Sequence, residues 1–413
     1  MIKVVIVLYY IIFYLTFFYS LYFVITGFLG IIKKSKLNIK KAKKNHHFAI
    51  LVPARNEGLV IGNLIDSLKE LNYPKDKYDI YALVNNCTDD TEEIAKKHGA
   101  KIITCNKPTK TKGDVLKIAF EKLKDNKEIE AYIVFDADNI VHPDFVLHMN
   151  DALDSGYRVA EGQRDAKNPS DNWLAGSYAL FYLFQNVFFN KARMAINGSS
   201  SINGTGFMVK KDIIDKDGFE TYTLTEDVEF TGQCALKGEK IAYIEDAITY
   251  DEFPTNFKAS WKQRRRWSTG VMACMGLYSP KLFINWIKSG KRPSLDMSLV
   301  YCGPVIQLLN FVNIVMLLGF KIAGIELHDI FSFFFNSGIL FFVATYLLGI
   351  LLSMFVVFYQ KKKILPVISG IFLFLVFIAT WIPINIVCLF KKQENWDEIK
   401  HDKNIKINDV MKS

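Results

Sequence analysis

The sequence predicts an α/β domain with a mostly parallel β-sheet, flanked on both sides by helices that are long and apolar enough to cross a membrane. Two observations support this prediction. Short apolar runs alternate with charged segments of helical periodicity between about residues 48 and 250, and this pattern is typical of a parallel sheet covered by helices. Long, almost uncharged runs stand on either side of that region.

The apolar runs are candidates for membrane-spanning helices. A helix rises 1.5 Å per residue, so about 20 apolar residues cross a hydrocarbon core about 30 Å thick. The first run is interrupted only by Lys3, and it is too long and too aromatic for a cleaved signal peptide. The runs cover Ile2–Ile32, Leu295–Phe320, Ile330–Tyr359 and Ile364–Phe390.

Lysines beside these runs predict the orientation of the protein. The formal net charge is +9, and much of it lies in residues 33–44, 288–292 and 361–363. Positive loops stay on the cytoplasmic side, so we expect a multi-pass plasma-membrane protein whose central domain is cytoplasmic. Contact with anionic headgroups is sufficient to explain these charges, so membrane lipids are expected partners and nucleic acid is not.

The predicted organisation has an N-terminal transmembrane helix, a basic cytoplasmic linker, a cytoplasmic domain, an amphipathic interface segment, about three transmembrane helices and a polar tail. These parts occupy residues 1–32, 33–47, 48–267, 268–294, 295–390 and 391–413. Three spans after the domain would place the C-terminus outside the cell, whereas Lys391 and Lys392 favour the inside. The sequence leaves that side open.

Strands and helices alternate through the first half of the central domain. The predicted strands are Phe48–Pro53, Tyr78–Val84, Lys101–Cys105 and Ala131–Phe135, and the predicted helices are Val60–Leu71, Thr91–His98 and Asp114–Leu123. Ligands of such sheets bind beyond the carboxyl ends of the strands. Functional residues are therefore expected directly after the strands.

Polar motifs occur at those places and further along the chain. Each has an ordinary structural interpretation, such as a turn for Asp-Ala-Asp, a helix cap for Thr-Glu-Asp, or a lipid-facing patch for the arginines. The motifs are Pro53-Ala54-Arg55-Asn56-Glu57, Asn85-Asn86-Cys87-Thr88-Asp89-Asp90, Lys112-Gly113, Asp136-Ala137-Asp138, Asn203-Gly204-Thr205-Gly206, Thr225-Glu226-Asp227 and Gln263-Arg264-Arg265-Arg266-Trp267.

In this order the D-x-D, T-E-D and Q-x-x-R-W motifs resemble those of the family 2 glycosyltransferases. The resemblance is to the membrane branch that contains cellulose, chitin, hyaluronan and poly-N-acetylglucosamine synthases, and it covers about residues 50–267. It implies a GT-A type nucleotide-sugar-binding domain inserted between transmembrane helices. It also implies a UDP-sugar donor, Mg²⁺ or Mn²⁺ as cofactor, and a growing glycan as acceptor.

The resemblance assigns donor and metal contacts. Asp138 is expected to ligate the metal and Asp136 to contact both the donor and the metal. Side chains two residues apart on a strand share a face, so both acids should project the same way from the strand end. A hard divalent cation takes carboxylate and phosphate oxygens and neutralises the leaving diphosphate. The other expected donor contacts are Pro53, Ala54, Asn56, Glu57, Asn85 and Lys112.

The resemblance also assigns the catalytic and acceptor residues. Asp227 is the expected general base, in one motif with Thr225 and Glu226. A positioned carboxylate that takes the proton of an acceptor hydroxyl is typically worth about 10²–10⁴-fold in rate. Direct in-line displacement would invert the anomeric configuration. Contacts to the acceptor and diphosphate are expected from Gly204, Thr205, Gln263, Arg266 and Trp267.

Some positions depart from the family pattern or leave alternatives open. Asn85 stands where the family usually has an aspartate that contacts the nucleotide base. The Asn-Gly-Thr-Gly segment does not reproduce the acceptor-loop motif of cellulose synthases. Arg264 and Arg265 could share the phosphate role or face lipid headgroups.

The favoured hypothesis is a processive synthase that extends a β-linked polysaccharide and secretes it through its own helices. The first choice of product is a β-glucan made from UDP-glucose, and the second choice is poly-N-acetylglucosamine. The alternative is a non-processive transferase that adds one or a few sugars to a lipid or cell-wall acceptor. A catalytically inactive membrane scaffold is the third hypothesis, and the joint presence of Asp136, Asp138, Asp227 and Arg266 argues against it.

Overall fold

The computed structural model describes residues 2–105, 109–327 and 338–391, together with positions 393, 405, 407 and 409. The tail predicted at 391–413 lies almost entirely outside these residues, as does the start of the apolar run predicted from Ile330. Within them, an N-terminal apolar helix leads into an α/β domain, and further apolar helices follow it.

The first half of the domain has the predicted alternation of parallel strands and helices. Strands β1 and β4 are buried along their whole length. A capping box between Thr111 and Asp114 sets the start of α4 and so places Lys112 in its first turn. The elements are α1 (Ile2–Ile32), β1 (Phe48–Ala54), α2 (Ile61–Lys69), β2 (Tyr78–Val84), α3 (Thr91–Lys97), β3 (Lys101–Thr104), α4 (Lys112–Leu123) and β4 (Ala131–Val134).

The second half of the domain adds antiparallel neighbours to the sheet. The strand order is β3-β2-β1-β4-β7-β6-β8-β5; β1 to β4 pair in parallel, whereas β7 is antiparallel to β4 and β6. The elements are β5 (Ile140–Val141), α5 (Phe145–Asp154), β6 (Val159–Ala166), α6 (Trp173–Phe184), a π-helical segment (Gln185–Lys191), α7 (Ala192–Ala195), β7 (Phe207–Lys210), α8 (Lys211–Asp217), α9 (Glu226–Lys237) and β8 (Ile241–Asp251).

Apolar side chains cover both faces of this sheet. Ile65 of α2 and Phe145 of α5 belong to the cluster on one face. Phe120 of α4 and Phe230 of α9 belong to the cluster on the other. Full burial of such a side chain contributes about 1.5–3 kcal/mol, so the two clusters fix the sheet and the helices that border its carboxyl edge.

Helix α10 (Phe257–Ser289) follows the sheet and continues without a break past residue 267. The Asn256 side chain caps it by accepting the backbone N–H groups of Lys258 and Ala259. Its second half exposes large apolar side chains within the segment for which the sequence predicts an amphipathic interface. These are Leu277, Phe283, Ile284 and Ile287.

Further apolar helices follow α10 in the described part of the chain. They are α11 (Arg292–Ile322), α12 (Ile339–Tyr359), α13 (Ile368–Ala379) and α14 (Trp381–Phe390). Within the described residues, the stretches 2–32, 292–322, 340–359 and 365–390 are long and apolar enough to cross a membrane. Thr380 separates α13 from α14 in the last of these stretches.

The contact between α6 and α13 depends on two glycines. A Cβ on Gly370 would lie 2.4 Å from the carbonyl carbon of Gly176, and backbone atoms cannot move aside as a flexible side chain can. We expect Gly370→Ala to lower the free energy of unfolding by about 1–3 kcal/mol. Thermal unfolding of the purified protein measures this effect.

A matched control for this substitution is Gly319→Ala in α11. No heavy atom lies within 4 Å of a Cβ at that position, and alanine favours the helix over glycine. Equal melting temperatures for the two variants would contradict the close backbone contact.

Candidate active site

A cleft of about 1560 Å³ opens at the carboxyl edge of the parallel strands. The loops after β1 and β4, the starts of α4 and α9 and one face of α10 form its walls, so residues distant in sequence meet there. The predicted residues that line it are Pro53, Glu57, Lys112, Asp136, Asp138, Gly204, Thr225, Glu226, Asp227, Gln263, Arg266 and Trp267.

Four predicted residues of the described part of the chain do not line the cleft. They are Ala54, Asn56, Asn85 and Thr205. The amide oxygen of Asn56 accepts the Thr88 backbone N–H at 2.8 Å, and Asn56 has a left-handed backbone (φ 58°). Asn85 is buried, and its amide oxygen accepts the Thr109 hydroxyl at 2.7 Å. These residues shape the loops around the cleft, and the contact of Asn85 with a nucleotide base stays a prediction.

The D-x-D motif lies in a turn and not on a strand. Strand β4 ends at Val134, and the Asn139 N–H donates to the Asp136 carbonyl at 3.1 Å to close the turn. The expectation that alternation along a strand places both acids on one face was therefore wrong, because these residues are not extended. Both Asp136 and Asp138 line the cleft nevertheless.

Buried polar groups hold this turn in place. The Asp136 backbone N–H donates to the amide oxygen of Asn139 and to the hydroxyl of Thr205, each at 3.0 Å. The Thr205 hydroxyl in turn donates to Asn139. Thr205, which the sequence assigned to the acceptor, therefore supports the acidic turn from behind.

Lys112 connects three parts of the site. Its ammonium group donates to the Asp136 carboxylate at 2.5 Å and to the Gly204 carbonyl at 2.6 Å, and it lies 3.8 Å from the Glu226 carboxylate. Burial alone would lower the pKa of Lys112, but the charges of Asp136 and Glu226 outweigh burial and raise it. The lysine therefore stays protonated and binds the acidic turn to the start of α9.

The acids of the cleft suit a divalent cation that takes some of its ligands from the protein and the others from the phosphates of the donor. Within the described residues, no group of three or more histidine, cysteine, aspartate and glutamate side chains is placed to hold a metal ion. Mg²⁺ is commonly bound through one or two carboxylates plus substrate phosphates. Asp136 is engaged by Lys112, which leaves Asp138 as the carboxylate best placed for this role.

The T-E-D motif forms the start of α9. Thr225 stands at the N-cap position with the two acids in the first turn, as the structural interpretation predicted, but its side chain makes no capping hydrogen bond. Its hydroxyl instead packs on α10, where a Cβ on Gly270 would come within 2.2 Å of it. Asp227 faces Gly204, where a Cβ would lie 3.2 Å from its carboxylate.

The two acids of T-E-D have raised pKa values. Burial is the main cause for both, and it raises the pKa of Glu226 to about 7. The charge of Asp227 adds to the effect on Glu226, whereas the nearby Lys112 opposes it. A raised pKa makes a carboxylate a stronger base, which suits proton abstraction from a hydroxyl.

Sugar transfer should decline at acid pH, because burial raises the pKa of Asp227 and a protonated Asp227 accepts no proton. Glu226→Gln should move the acid limb to lower pH, because it removes the neighbouring charge that disfavours ionisation. The pH profile of kcat/KM measures both effects. An acid limb that stays in place in Glu226→Gln would contradict the assignment.

Helix α10 presents Gln263, Arg266 and Trp267 to the cleft. Their spacing of three and four residues places them on one helix face. Arg266 donates to the Leu224 carbonyl at 3.3 Å, directly before the T-E-D motif. Trp267 packs between the rings of Tyr178 and Trp381, at centroid distances of 6.1 and 6.2 Å.

Arg264 has neither of the roles that the sequence left open for it. It is fully buried and donates to the Phe377 carbonyl at 3.2 Å and to the Thr380 hydroxyl at 2.6 Å. Arg265 donates to the Lys391 carbonyl at 2.9 Å. Both arginines therefore attach α10 to the last apolar helices.

Sequence reasoning missed a buried ion pair in the cleft, between Arg164 at the end of β6 and Asp251 at the end of β8. Arg164 also donates to the Asn203 carbonyl at 2.5 Å, and its guanidinium lies 4.2 Å from the centre of the Tyr182 ring. Asp251 accepts the Asn139 amide at 2.6 Å. The pair thus joins the D-x-D turn to the 203–206 loop.

Burial raises the pKa of Asp251 to about 6, while the charge of Arg164 partly offsets the shift. The two residues are 87 positions apart and belong to no shared motif. Only the parallel pairing of β6 with β8 brings them together.

The fold and the site define a class of protein. Residues 46–270, more than half of the chain, match the profile of the family described as glycosyltransferase like family 2. The chain belongs to this family and is a glycosyltransferase.

Several individual glycosyltransferases are similar to this chain. The β-monoglucosyldiacylglycerol synthase of Nostoc sp. PCC 7120 is 29% identical over 229 residues, which are 54% of this chain and 48% of that protein. The probable glycosyltransferase YdaM of Bacillus subtilis is 27% identical over 263 residues, 58% of each chain. The chain thus spans about half the length of the curated relatives that it matches.

Among solved structures, the mannosyltransferase PcManGT from Pyrobaculum calidifontis, in complex with GDP-Man and Mn²⁺, superposes with a TM-score of 0.59. It is 15% identical and covers 90% of this chain and 99% of its own. This likeness confirms the predicted GT-A type fold. The relatives are lipid glucosyltransferases and other glycosyltransferases, so the narrower resemblance to cellulose, chitin and hyaluronan synthases is not supported.

Proposed function

We propose that this glycosyltransferase adds one or a few sugars from a nucleotide-sugar to a hydroxyl of a membrane lipid. The proposal takes up the sequence's alternative hypothesis and sets aside the processive, polysaccharide-secreting synthase. One observation supports it above all: an aromatic wall of the cleft packs on the C-terminal apolar helices through Trp267 and Trp381.

That wall is aromatic. The rings of Tyr182 and Phe253 stack at 5.2 Å and both residues line the cleft. Trp267, beside them in the lining, stacks at 6.2 Å on Trp381, which belongs to the apolar stretch 365–390. A sugar or glycerol group can lie against such rings while an attached acyl chain stays among the helices.

The names of the relatives support a glycerolipid acceptor and glucose as the sugar. β-Monoglucosyldiacylglycerol synthases of Nostoc, Trichormus variabilis and Synechocystis are 25–29% identical to this chain. We therefore propose diacylglycerol as acceptor and UDP-glucose as donor. The catalytic domain would work at the cytoplasmic face of the plasma membrane, as the flanking lysines indicate.

We propose the following roles for the cleft residues. Asp138 and the donor's diphosphate hold Mg²⁺ or Mn²⁺, which when bound supplies positive charge for the leaving diphosphate. Lys112 and Arg266 both lie close enough to Glu226 to lower its pKa, and they add cationic hydrogen-bond donors for the diphosphate. Asp136 holds Lys112 in place.

Asp227 takes the proton of the acceptor hydroxyl as that oxygen attacks the anomeric carbon. The new carbon–oxygen bond forms while the bond to the diphosphate breaks, and the nucleoside diphosphate departs with the electron pair. Attack opposite to the leaving group inverts the configuration, so an α-linked donor gives a β-glycoside. Gly204 leaves room for the base, since any side chain there would meet the Asp227 carboxylate.

The experiment is a transfer assay in detergent micelles with radiolabelled UDP-glucose, UDP-N-acetylglucosamine or GDP-mannose, diacylglycerol and Mg²⁺ or Mn²⁺. We expect metal-dependent label from UDP-glucose in the organic phase, and none with Asp227→Asn. Label that stays in a high-molecular-weight, water-soluble product would instead support the hypothesis of a polysaccharide synthase. Absence of transfer to any acceptor in the wild type would refute the proposal.

A further inference from the structure

Four basic residues from three segments lie around the turns that follow α7 and α9. The Lys36 backbone N–H donates to the Met194 carbonyl at 3.0 Å, and the Lys240 ammonium donates to the Asn197 side chain at 3.0 Å. The other two contacts come from the start of α11. Arg292 donates to the Ile196 carbonyl at 3.1 Å, and Lys291 lies over Gly238, where a Cβ would be 2.6 Å from its ammonium nitrogen.

We call these four residues, Lys36, Lys240, Lys291 and Arg292, the junction cluster. Three of them are exposed and Lys240 is half-buried. Burial lowers the pKa of Lys240, and the charge of Lys36 lowers it further, so these two cations are close enough to repel each other.

The described residues around the cluster do not neutralise it. None of the four side chains forms an ion pair with a carboxylate of those residues, and Lys240 and Arg292 donate to neutral amide and carbonyl oxygens. Nearby acids are engaged elsewhere: Glu239 pairs with Arg158 at 2.6 Å and Asp217 with Lys237 at 3.2 Å. A carbonyl dipole orients a cation but leaves its charge uncompensated, so an anion would find several donors here.

The cluster lies where two apolar helices leave the domain. Helices α1 and α11 run antiparallel: the ring of Tyr9 meets that of Phe320 at 5.8 Å, and the Tyr19 hydroxyl reaches the Leu299 carbonyl at 3.1 Å. The Tyr22 hydroxyl reaches the Asp296 carboxylate at 2.8 Å, so the start of α11 at Arg292 lies beside the last two turns of α1. If both helices span the bilayer, this end of the helix pair is at the level of the headgroup region.

We propose that the junction cluster binds the phosphate of an anionic phospholipid. The chain offers a hydrophobic helix pair for the acyl chains and cations at the depth of the headgroup, a combination that a lipid matches and a soluble anion does not. The inference rests on the membrane placement within the proposed function, and not on the identity of the sugar or acceptor.

The test compares lipid retention by purified protein in a neutral detergent. The protein is mixed with equal amounts of phosphatidylglycerol and phosphatidylcholine, and native mass spectrometry counts the lipids that stay bound. One variant carries Lys36→Gln, Lys240→Gln and Arg292→Gln. The matched control carries Lys97→Gln, Lys124→Gln and Lys127→Gln, three exposed lysines of the α/β domain with the same loss of charge.

We expect the wild type and the control to retain several-fold more phosphatidylglycerol than phosphatidylcholine, and the cluster variant to lose that preference. A wild type that retains both lipids equally, or a cluster variant that matches the control, would overturn the proposal. Melting temperatures verify that the variants are folded. Neither donor nor acceptor is present, so this result is independent of whether the proposed transfer reaction is correct.

Discussion

Asp227→Asn should reduce the rate of sugar transfer by about 10²–10⁴-fold, the usual contribution of a general base. The amide is nearly the same size but cannot take the proton of the acceptor hydroxyl at neutral pH. Donor and metal binding should change little, because Lys112 binds Asp136 and the Gly204 carbonyl, and Asn139 braces the acidic turn, without it. Release of nucleoside diphosphate under saturating donor and acceptor measures the rate.

Asp246→Asn is a suitable control, since Asp246 lies exposed on β8, away from the cleft lining. It should leave the rate unchanged. If Asp227→Asn retained wild-type turnover while the acid limb of the pH profile also stayed in place, another group would be the base.

The second large effect is expected from Asp138→Asn. We expect about a 100-fold loss of activity at low metal concentration, because several kcal/mol of charge stabilisation depend on the cation and each 1.4 kcal/mol is a factor of ten in rate. High Mn²⁺ should restore part of the loss, since the donor's phosphates still bind the ion. Activity as a function of metal concentration is the measurement.

The two substitutions act as controls for each other. Asp138→Asn should shift the metal titration to higher concentration, whereas Asp227→Asn should lower the maximum without a shift. An unchanged metal titration in Asp138→Asn would show that this carboxylate does not hold the ion.

The parallel half of the fold was predictable because its signals are local. Phe48–Ala54, Tyr78–Val84 and Ala131–Val134 match predicted strands within one residue at each end. Functional motifs directly after such strands meet at one edge of the sheet for geometric reasons. That is why most of the predicted site residues line one cleft.

The remaining features depend on contacts that no short segment encodes. The D-x-D acids were expected to take their direction from the preceding strand, but β4 ends two residues earlier and the acids lie in a turn braced by Asn139. The Arg164–Asp251 pair forms across β6 and β8. Arg264 belongs to a run of arginines for which the sequence suggested a basic surface patch. Tertiary packing instead buries it against the last apolar helices.

The resemblance to polysaccharide synthases was too narrow for a similar reason. D-x-D and T-E-D describe donor binding and catalysis, and these do not identify the acceptor. In the proposed function the acceptor lies against Tyr182, Phe253 and Trp267, of which only Trp267 belongs to a predicted motif. Motifs of the donor side therefore indicate the reaction better than the product.

The proposal that this enzyme glycosylates a membrane lipid is tested most directly by the mass of its product. Purified wild-type protein would be incubated with UDP-glucose, diacylglycerol and Mg²⁺ or Mn²⁺, and the extracted lipid analysed by mass spectrometry. We expect diacylglycerol carrying one or a few hexoses, with one nucleoside diphosphate released per hexose. Long glucan chains without attached lipid, accompanied by unmodified diacylglycerol, would contradict the proposal.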